Sequence, residues 1–285
     1  MNIVSHPSVT AQRRSDLAAY TEANVLDDSG FHCIKESSCR TDALFRRDGL
    51  PRSGNRSFWA GQMSHVGLHY DTGAAGKPWR VMAVGMEVGR AQENITLEER
   101  RLQQQDAINV PFRSRRPHMK GTTSALRLAF GRDPGDDRDG EMITFQNDPV
   151  PRHVMECYAL VNMRLCSAVR TGTTSSVGTT RMSENCLTHL AATVRILEPT
   201  LIILQSNAIR SVIASRFSGF EQFDANLPNV EFGDFAGVPT IVASFPHPYQ
   251  QGANSHLEWG SSCSTPYLRE VVTPSIRAAR EFALG

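Results

Sequence analysis

The chain has 285 residues, enough for one large domain or two small ones, and its 40% hydrophobic and 21% charged content suits a soluble globular protein. The formal net charge of +1 does not mark the chain as a nucleic-acid binder by bulk electrostatics. We find neither an apolar stretch long enough to span a bilayer nor the apolar core of a signal peptide, so we expect a cytoplasmic protein with no membrane partner.

The first 78 residues show little periodicity. Residues 1–30 are predicted to form an N-terminal arm, amphipathic or partly disordered, ahead of a single α/β domain over residues 31–285. From Phe31 to Pro78 the chain is rich in Gly, Ser and Arg, and a long irregular region usually has a specific role or is tied down. Two basic runs, residues 46–56 and 113–120, are interpreted as solvated loops.

From residue 80 onward, short apolar runs alternate with helical patterns. The predicted strands are Arg80–Val84, Tyr158–Val161, Leu201–Leu204 and Pro239–Ala243. The predicted helices are Ile95–Ala107 capped by Thr96, Thr122–Phe130, a helix capped by Ser183 and ended by Glu198 and Pro199, Ala208–Ser215, and Arg269–Ala283. This alternation is typical of an α/β fold with a mostly parallel central sheet.

Each predicted strand is followed at once by polar or glycine-containing residues. His247 follows the last strand between Pro246 and Pro248, and comparable junctions lie at 84–89, 161–166 and 203–208. In open α/β sheets ligands bind outside the carboxyl ends of the strands. His247 is therefore a candidate catalytic residue.

Several short motifs occur in a fixed order between Met82 and Pro248. They are Gly85-Met86-Glu87-Val88-Gly89 with Glu93, Pro111-Phe112, Gly121, Tyr158 with Asn162 and Cys166, Glu184 with Cys186, Pro199 with Ile202, Leu204-Gln205-Ser206-Asn207-Ala208, and His247-Pro248-Tyr249. The ordered set resembles the uracil-DNA glycosylase superfamily, nearest to its iron–sulfur-containing branches. The chain departs from that pattern at Met86, Val88, Gln205 and Tyr249, which stand where the family has Glu, Pro, Gly and Ser.

The resemblance implies a three-layer αβα fold with a mostly parallel, four-stranded central sheet. It also implies a monofunctional DNA-repair enzyme that flips uracil out of DNA, hydrolyses its N-glycosidic bond and leaves an abasic site. The expected partner is uracil-containing DNA, the product is free uracil, and no nucleotide cofactor is expected. We expect a monomer, associated with the nucleoid if the protein is bacterial.

Three side chains are candidates for handling the base. Phe112 offers a stacking face, although a core or loop phenylalanine explains it equally well. Asn162 presents a donor and an acceptor that suit uracil N3–H and O4, with a strand-ending turn as the alternative. His247 is suited to donate a hydrogen bond to uracil O2 as negative charge develops there.

A carboxylate is needed to orient water and to stabilise the sugar cation. Glu87 and Glu93 are the candidates, and the resemblance favours Glu93. Gly85 and Met86, together with Glu87, form a loop whose backbone can approach a substrate closely, although a plain tight turn has the same sequence.

DNA contacts are expected on two further segments. Tyr249, Gln250 and Gln251 resemble the loop that enters the minor groove in this superfamily, where the side chains fill the gap left by the flipped base. Ser206, in the turn after the third strand, is a further candidate for DNA binding.

Four of the six cysteines match the family's cluster ligands in order. Cys33, Cys39, Cys166 and Cys186 are the predicted ligands of a 4Fe–4S cluster, which would also hold the irregular region after Phe31 in place. Four thiolates also suit zinc, and four unrelated buried thiols are the plainer explanation. Cys157 and Cys263 are predicted to be ordinary thiols.

Two other functions stay open at this point. One is excision of another base, such as hypoxanthine, xanthine or a damaged pyrimidine. The other is a catalytically silent protein that binds DNA or abasic sites, which the substitutions at Met86 and Val88 would permit.

Overall fold

A computed structural model describes residues 2–87, 93–173 and 177–285 of the chain. The helices are α1 (Pro7–Asn24), α2 (Glu36–Leu44), α3 (Leu97–Ile108), α4 (Pro117–Ala129), α5 (Thr180–Leu197), α6 (Asn207–Ala214) and α7 (Thr273–Leu284). The strands are β1 (Ile3–Ser5), β2 (Leu26–Asp27), β3 (Gly30–Phe31), β4 (Arg56–Trp59), β5 (His65–Val66), β6 (Thr72–Ala74), β7 (Lys77–Trp79), β8 (Val81–Gly85), β9 (Met142–Phe145), β10 (Asp148–His153), β11 (Tyr158–Asn162), β12 (Ser167–Arg170), β13 (Leu201–Leu204), β14 (Glu221–Gln222), β15 (Val230–Phe235) and β16 (Val238–Ser244).

The main sheet has mixed strand directions. Its order is β14-β15-β16-β13-β8-β11-β5. The pairs β16–β13, β13–β8 and β8–β11 are parallel, and the outer pairs β14–β15, β15–β16 and β11–β5 are antiparallel. The prediction of an α/β fold is confirmed, whereas the prediction of a mostly parallel sheet of four strands is wrong, because the sheet has seven strands and its outer pairs are antiparallel. The predicted strands form the interior, and antiparallel strands that the sequence pattern did not reveal extend both edges.

Helices pack on both faces of this sheet because its interior strands are apolar on both sides. Along β8, Val81 and Ala83 face a cluster that contains residues of α4 and α7. Met82 and Val84 face the opposite cluster, with residues of α1, α5 and α6. Successive residues of a strand point to opposite faces, so a continuous apolar run is what a sheet covered on both sides requires.

The N-terminal residues are part of the packed structure. Instead of a partly disordered arm, residues 3–24 form β1 and α1. Leu17 is buried at 2% exposure in the core cluster that includes α5. Arg13 binds Asp71 at 2.9 Å and Glu198 at 2.7 Å, which fixes the helix to segments distant in sequence.

Two helices begin earlier than predicted. The helix assigned to Ser183 has Thr179 as its N-cap, with Thr179 Oγ1 accepting from Met182 N at 3.3 Å. α4 begins at Pro117 rather than Thr122, because proline suits the first turn of a helix. The Thr96 cap of α3 is confirmed and forms a capping box with Glu99.

The solvated-loop interpretation of the second basic run is wrong for residues 117–120, which lie in α4, and for Arg115, which is buried. The Arg115 side chain is 2% exposed, and its guanidinium donates to both oxygens of Glu141 at 2.7 Å. Glu141 also accepts from His153 Nε2 at 2.6 Å. A bidentate pair of this kind satisfies both charges in a buried setting, so Arg115 is a structural residue.

The helices in the described part of the chain were compared with the length and apolar character that a membrane span requires. None of the helices there is both long enough and apolar enough to cross a bilayer.

Candidate functional site

The parallel strands end together at one edge of the sheet. Gly85 at the end of β8 lies opposite Asn162 at the end of β11, and Leu204 of β13 lies opposite both Val84 and Ser244. The residues that follow these strands therefore emerge side by side. Strands β8 and β13 are neighbours whose chain connections leave towards opposite sides, and such a switch point is where open α/β sheets bind ligands.

The loop that carries His247 is held against α4 by close packing. A Cβ at Gly121 would lie 2.7 Å from Pro248 Cβ, so only glycine lets the helix and the loop approach this far. Trp259 Nε1 also donates to Pro246 O at 2.8 Å. These contacts place His247 above the first turn of α4.

His118, in that first turn, stacks on His247. The two ring centroids are 5.5 Å apart and the ring planes meet at 27°. A Cβ built on Gly85 would lie 3.8 Å from His118 Nε2 and 3.5 Å from Asn162 Oδ1. One small volume beside the end of β8 is thus bounded by Asn162, His118 and the bare backbone of Gly85.

The polar groups behind His118 are buried. Burial and, to a smaller extent, repulsion from His247 lower the pKa of His118 to about 4, against the opposing effect of the Gln205 side chain. Gln205 is fully buried, and its Nε2 donates to Thr122 Oγ1 at 2.8 Å. Thr122 in turn donates to His118 O at 3.0 Å. His118 is therefore a neutral and firmly oriented imidazole at neutral pH.

His247 has one ring nitrogen occupied by its own loop. Nδ1 lies 3.1 Å from both the N and the O of Tyr249. Nε2 is consequently the nitrogen of His247 that can meet a ligand.

Glu87 lies behind the same edge in a buried ion pair. Its side chain is 2% exposed, and Oε2 accepts from Arg164 Nη1 at 3.2 Å. Burial raises the pKa of Glu87 to about 7, against the opposing charge and hydrogen bond of Arg164. Oε1 is buried and has no hydrogen-bond partner among the described residues. Glu87 is thus a carboxyl group that can gain or lose a proton near neutral pH.

The other candidates from the sequence lie elsewhere or outside the described residues. Glu93 is exposed on a bend before α3. Phe112 is 4% exposed, and the guanidinium carbon of Arg115 lies 6.0 Å from its ring centroid. Met86 is partly buried, and its carbonyl accepts from Arg164 N at 2.9 Å. The remainder of the predicted glycine loop, Val88 and Gly89, is outside the described residues.

The predicted DNA-binding residues lie at or near this edge. Tyr249 is 46% exposed, and the Gln251 side chain donates to its hydroxyl. Gln250 lines the same shallow surface groove as these two residues. Ser206 caps α6 by accepting from Ala208 N at 3.3 Å, directly after β13.

The four predicted cluster cysteines come together from distant parts of the sequence. Cys33 precedes α2, Cys39 lies in α2, Cys166 follows β11 and Cys186 lies in α5. Burial raises the pKa of Cys166, and repulsion from each of the other three thiols raises it further. Burial likewise raises the pKa of Cys186 to about 12. Cys39 and Cys166 belong to one buried cluster of side chains and Cys186 to another, and Phe31 packs against both clusters.

Nitrogen groups surround three of these sulfurs. Leu165 N donates to Cys186 Sγ at 3.5 Å, and Asn185 Nδ2 donates to Cys39 Sγ at 3.3 Å. His189 Nε2 lies 3.4 Å from Cys33 Sγ. Donors of this type stabilise thiolates bound to iron. Within the described ranges, however, no group of three or more Cys, His, Asp or Glu is arranged to hold a single metal ion.

The sequence did not predict that His118 lies in the site or that the buried Gln205 lies behind it. Pro117 was the available signal, since a proline at the first helical position would have moved the start of α4 to His118. The contact with His247 depends on tertiary packing through Gly121 and Pro248, which no local pattern reveals.

No protein-family model matches this chain, and no curated protein does.

Proposed function

We propose that this protein is a monofunctional DNA glycosylase that hydrolyses the N-glycosidic bond of uracil in DNA and leaves an abasic site. One observation carries the proposal: Asn162, His247 and the bare Gly85 backbone converge at the carboxyl edge of adjacent parallel strands. A fold of the uracil-DNA glycosylase type, in the cytoplasm and acting as a monomer on DNA, is part of the same proposal.

In this proposal Asn162 reads the base. Its carboxamide accepts from uracil N3–H and donates to O4, which holds the flipped base in one orientation. The absence of a side chain at Gly85 lets the base approach the end of β8. Reading an edge in this way needs the base outside the duplex, where its pairing groups are free.

His247 stabilises the leaving group. As the C1′–N1 bond breaks, the electron pair moves onto uracil and negative charge grows on O2. Because Nδ1 is held by the Tyr249 backbone, Nε2 is left to donate a hydrogen bond to that oxygen. Stabilisation of a developing charge by a fixed donor is among the largest catalytic effects.

We assign Glu87, rather than Glu93, as the carboxylate that accepts a proton from the attacking water. Its buried position behind the edge and its raised pKa, about 7, suit a group that takes a proton near neutrality, whereas Glu93 is exposed. The water oxygen bonds to C1′ and its proton passes to Glu87. Uracil leaves as an anion and takes a proton from solvent.

DNA contacts surround this edge. The exposed ring of Tyr249, with Gln250 and Gln251, suits the space that a flipped nucleotide leaves in the duplex. The exposed Arg116, just before α4, supplies a positive charge for phosphate.

The donor set of four cysteines fits an iron–sulfur cluster better than a single metal ion. Cys39, Cys166 and Cys186 are buried, Cys33 is half-buried, and N–H groups donate to the sulfurs of Cys186 and Cys39. Cys33, Cys39, Cys166 and Cys186 would hold the cluster. When bound, it would supply a covalent link between α2 and α5 and so a structural role.

The test is incubation of purified protein with single-stranded and duplex DNA that contains one uracil, followed by alkali. Scission at the uracil position supports the proposal. Scission only with hypoxanthine, xanthine or a damaged pyrimidine would change the base, and binding without scission would indicate a silent DNA-binding protein.

A further inference from the structure

Arginines in and around the first basic run differ in how their charge is balanced. Arg46 binds Asp48 at 2.7 Å, whereas neither Arg56 nor Arg170 makes an ion pair with any described residue. Arg56 and Arg170 lie directly opposite each other in the antiparallel pair β4–β12. Like charges in such a position repel and destabilise the pair of strands. An anion that contacts both guanidinium groups would offset this repulsion.

The Arg56 guanidinium is held in place without being neutralised. Its Nη1 donates to Ala43 O at 3.2 Å and to Val177 O at 3.3 Å. Its Nε is buried and has no hydrogen-bond partner among the described residues. Burial lowers the pKa of Arg56, and repulsion from Arg52 and Arg170 also lowers it. Two uncharged carbonyl groups therefore orient a cation whose charge is left for a ligand.

Arg170 lies at the same end of the β4–β12 ribbon and is exposed. Gly54, in the turn before β4, has a φ of +87°, and a Cβ built there would lie 2.9 Å from Arg170 Nε. The Arg170 side chain thus lies directly over the backbone of the turn, where glycine leaves room for it. Asn55 O accepts from Thr171 N at 2.7 Å and closes this end of the ribbon. Arg56 and Arg170, the arginine pair, therefore project from a tightly tied part of the fold.

Two consecutive residues connect the arginine pair with the proposed active site. Val177 O accepts from Arg56, and a Cβ on the next residue, Gly178, would lie 2.7 Å from Glu87 Oε2. Because consecutive Cα atoms are about 3.8 Å apart, the Arg56 guanidinium lies on the order of 10 Å from the Glu87 carboxyl group. Phosphates follow one another at about 3.4 Å along the axis of each DNA strand. The arginine pair is therefore within reach of the backbone a few nucleotides from a base bound in the site.

We propose that Arg56 and Arg170 form a phosphate-binding site that holds the DNA backbone beside the proposed active site, on the side of α2. This inference rests on the proposed function, which supplies the phosphates. The planar N–H forks of arginine match phosphate oxygens and donate paired hydrogen bonds to them. Contacts to phosphate fix the register of a protein on its nucleic acid. The arginine pair thus holds the strand while Asn162 binds the flipped base.

The experiment measures binding by fluorescence anisotropy with a labelled oligothymidylate, which carries phosphates but no uracil, over a series of salt concentrations. Arg56→Gln and Arg170→Gln are compared with wild type, and Arg46→Gln, which removes an exposed charge from the same run, is the control. Each of the first two variants should weaken binding about threefold to tenfold and reduce the slope of log affinity against log salt by about 0.7. On single-stranded DNA that contains uracil, the loss should appear in KM rather than in kcat. The control should match wild type throughout.

The outcomes separate this inference from the function on which it rests. Because Arg170 is exposed, Arg170→Gln decides the test even where Arg56→Gln fails to fold. Wild type that excises uracil, with Arg170→Gln equal to it in affinity and salt slope, overturns the inference alone. Wild type that binds DNA through these arginines but excises no uracil overturns the proposed function alone. Tighter arginine-dependent binding to a uracil-free RNA of the same length would overturn DNA as the partner of this surface.

Discussion

Replacing Glu87 with glutamine should remove a pH-dependent loss of stability. The carboxyl side chain is 2% exposed, and burial raises its pKa from 4.5 to about 7. Glutamine has nearly the same shape and retains an oxygen that can accept from Arg164, but it cannot ionise. The substitution therefore isolates the cost of charging this buried group.

The direction follows from proton binding. Between pH 4.5 and about 7 the folded protein keeps a proton on Glu87 that the unfolded chain has already lost. Raising the pH through this window therefore lowers the stability of the wild type. Because each unit of pKa difference corresponds to about 1.4 kcal/mol, the full loss is on the order of 3 kcal/mol above pH 7.

Urea unfolding at a series of pH values from 4.5 to 8.5, followed by tryptophan fluorescence, measures the effect. The Glu87→Gln protein should match wild type at the acid end and exceed its unfolding free energy by about 3 kcal/mol at the alkaline end. Glu184→Gln, the same change at an exposed site on α5, should show no such trend. A Glu87→Gln protein less stable than wild type at alkaline pH would contradict this prediction and would show that the folded protein holds Glu87 as a carboxylate stabilised by Arg164.

Four further predictions concern the site and its supports. Asn162→Ala and His247→Ala should remain folded and bind DNA, yet lose at least about 100-fold in single-turnover excision, because each removes a contact to the base. Gly85→Ala places its Cβ in ordinary contact, 3.5 Å and 3.8 Å from its neighbours, so thermal stability should hold while kcat/KM for uracil falls at least about tenfold. Cys39→Ser should lower the iron content and the visible absorbance of the protein as purified. Glu141→Ala leaves a buried arginine unpaired and should cost about 3–5 kcal/mol in urea unfolding.

Each of these has an outcome that contradicts it. Asn162→Ala turning over like wild type would mean that the base binds elsewhere. Unchanged kcat/KM in Gly85→Ala would show that no base approaches the end of β8. A colourless, iron-free and fully stable wild type would remove the cluster from the proposal. A Glu141→Ala protein as stable as wild type would show that Arg115 finds another partner or water.

The interior of the fold was predictable because its signals are local. The strands β8, β11 and β13 are mostly apolar, β16 contains the apolar run Ile241–Ala243, and the Thr96 cap is a local pattern of side chain and backbone. The outer strands were not predictable in this way. β14 and β5 have two residues each, too few to show alternation, and they exist because their neighbours offer a free edge.

The site was predictable in part for the same reason. His247 and Asn162 follow strands, so the sheet topology alone brings them to one edge. His118 comes from a helix in the crossover after β8, and its place depends on a glycine contact between distant segments. Glu87 and Arg164 likewise form a buried ion pair only when the ends of β8 and β11 lie side by side.

Release of free base from DNA is the direct measure of uracil excision by this protein. Wild type, Asn162→Ala and His247→Ala would each be incubated with a single-stranded DNA that carries one uracil and with its cytosine-containing twin, and the free bases would be quantified by mass spectrometry. We expect stoichiometric free uracil from the wild type, none from the cytosine twin, and release reduced at least about 100-fold by either substitution. Intact uracil-containing DNA after incubation with the wild type, or undiminished release by both variants, would contradict it.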